Sequence, residues 1–323
     1  MHKSLVLAGG AALLLLLAGC HKKADLDNAG ATADNATTAS GNATAEEVAA
    51  EARGDVSCPA TAETPRPAGA PVDDVVGVRP GMGWGEAAHF VMCDNPLLVV
   101  KETADRNYDI DTHGTKIRQG FLASFAEPRV EKTGQDIVKE MQEDSMRRGM
   151  NAYEAPLKPG QSRYFVSTMG LPGQEKVVSV AREEYYEAGK LPTVESVEAA
   201  LKAKYGSPSL ARDGNKVRQI FWEYDPSGRP VTETSPLYER CMITASPDAS
   251  TQLNPDCGVT VGAQITQSDD NPGLAHSLAV TAQNGAEGVK RINDTEQALS
   301  QADQQRQANE VKGAAQSADK PKL

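Results

Sequence analysis

Asp109, Asp111 and His113 stand at alternate positions ahead of Gly114. A calcium loop opens with this spacing: oxygens two residues apart converge on one ion, and the glycine permits the sharp turn. The twelfth position, which would need a bidentate Glu, is Gly120, and the segment runs on into a strand. A polar connection between strands is therefore expected, with Asp109, Asp111 and His113 as the metal candidates and no cofactor otherwise. Other chemistry is sparse. No Gly-x-Ser-x-Gly elbow occurs, and His89, His113 and His276 are the histidines available as bases in the expected folded region. Glu183 and Glu184 are adjacent on an expected strand, so their carboxylates point to opposite faces and do not form a pair. Gly81-Met-Gly-Trp-Gly85 follows no apolar strand and lacks the spacing of a phosphate loop. No catalytic residue is assigned, and the chain is expected not to be an enzyme.

The N-terminus says more. Lys3 precedes an apolar run from Leu5 to Leu17, roughly 13–16 residues, shorter than the ~20 that span a bilayer. The run ends in Leu17-Ala-Gly-Cys20, which resembles the lipobox of bacterial lipoproteins. That resemblance implies cleavage after residue 19 and acylation of Cys20, with the lipid bilayer as a partner. With His21 and not Asp after the modified cysteine, it implies the outer membrane, with the folded part facing the periplasm.

Four further cysteines, Cys58, Cys93, Cys241 and Cys257, form an even set, as expected of two disulfides in an exported chain. Three connectivities are possible. Local spacing favours Cys241–Cys257 and, by elimination, Cys58–Cys93. The net charge of −11 argues against nucleic acid as a partner.

Residues 20–74 are rich in Ala, Thr, Asn, Glu and Pro and poor in large apolar side chains, so they read as a lipidated, disordered linker. Its flexible part would reach roughly 30–42 Å from the lipid surface. Order is expected from Val75. Ala87, Phe90 and Val91 share a helical face that Asn95-Pro96 ends. Strands are expected at 97–102 and 116–125, then an amphipathic helix at 135–148 with Ile137, Val138, Met141 and Ser145 on one stripe. A hairpin, 163–169 with 176–187, turns at 170–175 through Gly and Pro. Thr193 caps a helix with Val194, Val197, Leu201 and Tyr205 on its stripe, and Gly206 and Pro208 stop it. Strands at 217–224, 237–245, 259–267 and 274–282 follow, then a long polar helix over 286–316. Ile220, Trp222 and Tyr224 alternate as core residues.

The fold class is α+β: two similar helix-plus-antiparallel-sheet units, 75–190 and 191–283, with a C-terminal helix and tail over 284–323. Gly81-Met82-x-x-x-Glu86-Ala87 resembles the helix start of SmpA/OmlA-type outer-membrane lipoproteins and of β-lactamase-inhibitor-like repeats, small α+β units that work by protein contact. Gly170-Leu-Pro-Gly-Gln-Glu175 and Lys204-Tyr-Gly-Ser-Pro208 resemble segments of uncharacterised Gram-negative lipoproteins. The last resemblance implies no biochemical function; the expected role is a non-catalytic one in binding an envelope protein or in assembly, carried by an exposed sheet face. The alternative is a periplasmic ligand-binding or metal-dependent enzymatic domain.

Overall fold

In each half of the chain, one helix and a four-stranded meander repeat in the same order. The computed structural model describes residues 41–54, 56, 58, 61–102, 108–150, 154–245 and 252–317. The expected signal peptide 1–19 and Cys20 lie outside the described residues. The first half has α2 (Trp84–Asp94), β1 (Leu98–Glu102), β2 (Gly120–Phe125), β3 (Ser162–Met169) and β4 (Lys176–Tyr185). The second has α4 (Val194–Tyr205), β5 (Leu210–Gly214), β6 (Val217–Glu223), β7 (Val259–Gln267) and β8 (Ala275–Asn284). Outside this repeat lie α1 (Ala45–Arg53), α3 (Gly134–Gly149) between β2 and β3, and the long α5 (Gly285–Ser317).

All eight strands form one antiparallel sheet in the order β1-β2-β3-β4-β8-β7-β6-β5. The last strands of the two meanders pair in the middle, with Val180 opposite Ala282 and Arg182 opposite Val280. Antiparallel pairing of equivalent strands relates the halves by an approximate two-fold axis. A detail repeats too: the residue capping each helix bridges to the head of the fourth strand, Gly83 to Lys176 and Thr193 to Leu274.

The core follows from register. Trp222, Val261, Ala282, Val180, Val166 and Phe121 form one continuous cross-strand row, all buried. Against this face pack α2, through Ala87, Ala88, Val91 and Met92, and α4, through Val197, Leu201 and Tyr205. Spacings of three and four residues place these side chains on one helical stripe. Thr193 Oγ1 accepts from the Ser196 amide to start α4, and Gly206 ends it at φ 86°, a left-handed conformation that glycine adopts freely. Trp222 Nε1 donates to the Gly206 carbonyl at 2.9 Å, which locks the helix end to the sheet.

Both expected disulfides are present, Cys58–Cys93 and Cys241–Cys257, with Cα atoms 5.6 and 5.7 Å apart. Four expectations need correction. The stretch read as linker is folded in part, among the described residues from Gly41. Thr44 and Glu47 form a capping box that starts α1, and Ala49 of α1 packs on Val99 of β1. Asp73 and Thr64 are tied to Arg79 and Glu86. Residues 237–245 form turns and not a strand. Cys241 and Ala245 are buried without strand pairing, and Ile243 sits over Gly262 of β7. The second sheet face is not exposed: Leu122, Phe165, Ala181 and Phe221 on it are all buried. The strand expected over 116–125 is shorter, starting at Gly120, and β5 joins the sheet at its far edge.

Candidate functional site

Asp109, Asp111 and His113 lie on the connection leading to β2, and all three are exposed. Asp111 Oδ1 accepts the His113 amide at 2.9 Å, a local turn in which His113 and Gly114 take φ values of 49° and 80°. His113 Nδ1 is 3.5 Å from Asp111 and 3.7 Å from Asp303 of α5. The arrangement is a turn docked beside a helix. Among the described residues no three His, Cys, Asp or Glu side chains converge as a metal set. Glu183 and Glu184 diverge as the strand period requires, one to Arg163 and the other to Arg182. His89 is exposed, and His276 meets the Tyr185 ring edge-on at 4.9 Å.

The amphipathic helix expected at 135–148 is α3, and its apolar stripe is not covered by any of the described residues. Thr133 caps it through a box with Asp136, so the helix is well started. No residue of it is buried; Ile137, Val138 and Met141 are 47, 54 and 67% exposed. Only Asp144 and Arg147 are half-buried, and they rim a cleft of about 620 Å³ that separates α3 from β1, β2 and β3. Of the eight large hydrophobic residues exposed among the described residues, six fall between Val130 and Met150. Scattered exposed apolar residues are ordinary, whereas a cluster marks a contact surface.

A second feature sits between the halves on the helical face. A cavity of about 400 Å³ is walled by Leu201, Leu278 and Val280, with Arg182 and Lys204 at its edge. Val76 also lines it, exposed and at φ 47°, where a β-branched side chain is strained. Arg182 lies over the Tyr164 ring and donates to Glu184, and Lys204 pairs with Asp74 at 2.7 Å. Burial pushes the Tyr186 hydroxyl at this cavity up to about 12, helped by the Glu184 carboxylate.

On the other sheet face, Glu223 is fully buried. Burial and, second, the nearby Glu239 carboxylate raise its carboxyl to about 7, with Arg212 opposing. Neither the exposure of α3's stripe nor Glu223's burial was readable from periodicity, which reports a stripe or a strand but not what covers it.

Comparison of the chain with protein-family models, curated proteins and solved structures finds no match.

Proposed function

We propose that this chain is a lipid-anchored envelope lipoprotein, acylated at Cys20 on the outer membrane and facing the periplasm, that works by binding another envelope protein through α3. The anchor rests on Leu17-Ala-Gly-Cys20 after a short apolar run. The contact rests on one observation, the gathering of exposed apolar side chains on and around α3. An amphipathic helix laid into an apolar groove is a recurring mode of recognition, read as anchors one turn apart. Ile137 and Met141 supply such anchors, and methionine adapts to irregular partner surfaces. The helix carries four acidic residues (Asp136, Glu140, Glu143, Asp144) against three basic ones (Lys139, Arg147, Arg148). Helices that lie on membranes have a strongly basic polar face, so a protein groove suits α3 better than lipid.

Two variants test the proposal. Cys20→Ala should abolish acyl labelling and release the protein from membranes; unchanged labelling would remove the anchor from the reading. Ile137→Glu with Met141→Glu should change thermal stability little, because both side chains are largely exposed and neither is in the core, while abolishing partner capture. Capture that persists would remove α3. A second reading, a periplasmic ligand-binding domain, is favoured by the 400 Å³ cavity, whose apolar wall and cationic edge suit a small anionic amphiphile. Displacement of a fluorescent fatty acid, lost in Arg182→Ala, would support it.

A further inference from the structure

The turn that carries Val76 is strained where the fold does not ask for a valine. Val75 and Val78 exchange backbone hydrogen bonds of 2.8 and 3.1 Å around two central residues, Val76 at φ 47° and Gly77 at φ 86°. Two positive φ values mark a type I′ turn, whose central places favour Asn, Asp and Gly. Valine is poorly suited to the first of them, because its branched Cβ crowds the backbone there.

Neighbouring groups hold the conformation in place. Val75 and Val78 are buried on either side of the turn. Asp74 Oδ2 accepts the Gly77 amide at 3.1 Å and the Lys204 ammonium at 2.7 Å, and the Tyr205 hydroxyl donates to the Asp74 carbonyl at 2.8 Å. Gly77 lies so close to α2 that a Cβ on it would stand 3.0 Å from the Phe90 ring. None of these contacts uses the Val76 side chain, which is 42% exposed. Asn would make the same turn without the strain. Strained residues that their surroundings hold in place cluster at ligand sites, so the outlier directs attention to what the side chain borders.

Val76 borders the cavity of about 400 Å³ between the halves. Leu201, Leu278 and Val280 share the apolar wall with it, and Arg182 and Tyr186 bring polar groups. A cavity of this size and lining suits a small ligand that is mostly hydrocarbon. The polar end of that ligand is also legible. Arg182 Nε is buried without a hydrogen-bond partner, and the Asp94 carboxylate beside it is 3.8 Å away. The Tyr186 hydroxyl stays protonated, because burial opposes its ionisation. A buried donor left unpaired is costly, and an anionic head group supplies strong acceptors for both donors.

We propose that Val76 packs on the hydrocarbon chain of a single-chain lipid anion in this cavity, with Arg182 and Tyr186 taking the head group. The inference rests on the ligand-binding reading of the cavity and is independent of the use made of α3.

The test uses the mature chain from residue 20 carrying Cys20→Ala, so that no detergent competes for the cavity. A fluorescent fatty acid is titrated in, then displaced by palmitate, lysophosphatidylglycerol or hexadecanol. One site per chain is expected. Palmitate and lysophosphatidylglycerol tell a carboxylate head from a phosphate, and hexadecanol, with the same chain and no charge, should displace at least tenfold more weakly than the better of them. Val76→Asn and Val76→Gly relieve the turn, so without ligand both should melt about 2–6 °C higher than the parent. Both should also bind the fatty acid about fivefold more weakly, because part of the valine surface is no longer buried by the chain. No binding to the parent chain would overturn the ligand-binding reading and the inference together. Undiminished binding in both Val76 variants, or no rise in their melting temperature, would overturn the role of Val76 and leave the cavity reading standing. Displacement by hexadecanol equal to that by palmitate and lysophosphatidylglycerol would overturn the anionic head group.

Discussion

Replacing Asp73 by Ala probes whether the segment before the first repeat is part of the fold. Arg79 grips Asp73 with two parallel hydrogen bonds, Nε to Oδ1 and Nη2 to Oδ2, both 2.9 Å. The side chains are 12 and 4% exposed. Removing the carboxylate leaves the guanidinium one long contact, 3.4 Å to the Pro65 carbonyl. Breaking a buried ion pair from one side costs about 3–5 kcal/mol, because a charge is left uncompensated. Arg79 keeps some access to water, so the lower end, about 3 kcal/mol, is expected. Urea unfolding of wild type, Asp73→Ala, Arg79→Met and the double variant measures it. The double variant should recover part of the loss, with a coupling of at least about 1.5 kcal/mol. If Asp73→Ala falls within about 0.5 kcal/mol of wild type, the segment behaves as a free linker and the reasoning fails.

Replacing Cys241 and Cys257 by Ser opens a loop with a sequence separation of 16 and should cost about 3 kcal/mol in the same assay. Trp222→Ala removes the largest fully buried side chain and its bond to Gly206, so a loss of about 3–5 kcal/mol is expected from thermal or urea unfolding. Burial opposes ionisation of Asp74, but the Lys204 ammonium, the Gly77 amide and Arg66 outweigh it and hold the carboxyl below 3.8. A folded value below the unfolded one gives stability that is full above 3.8 and is lost as pH falls through the folded value. Asp74→Asn should therefore be less stable than wild type at neutral pH and indistinguishable from it in strong acid, as measured by urea midpoints across that range.

Much of the architecture was legible because its signals are local. Thr193, the stripe through Tyr205, Gly206 and Pro208 mark both ends and the buried face of α4 within sixteen residues. The turn at 170–175 and the alternation in 259–267 were equally direct. α1 was hidden because its buried face is alanine, which looks like linker composition, although Thr44 and Glu47 carried the capping signal. Residues 237–245 alternate like a strand, but alternation also serves an irregular segment that buries a few side chains against a sheet, and only the pairing of β6 with β7 separates the two. The stripe of α3 was visible; its exposure was not, since an amphipathic pattern is the same whether the partner is the protein's own core or another molecule. Glu223 gave no signal because a lone carboxylate at a strand end normally faces water, and its burial is set by tertiary packing that periodicity does not report.

The contact through α3 is tested most directly by a photo-crosslinking residue placed at Met141 in intact cells, compared with one at Val311, an equally exposed apolar position on α5. A discrete heavier adduct from position 141, absent from position 311 and lost when Ile137 is replaced by Glu, is the predicted result. No adduct at 141, or the same adduct from both positions, would contradict the account.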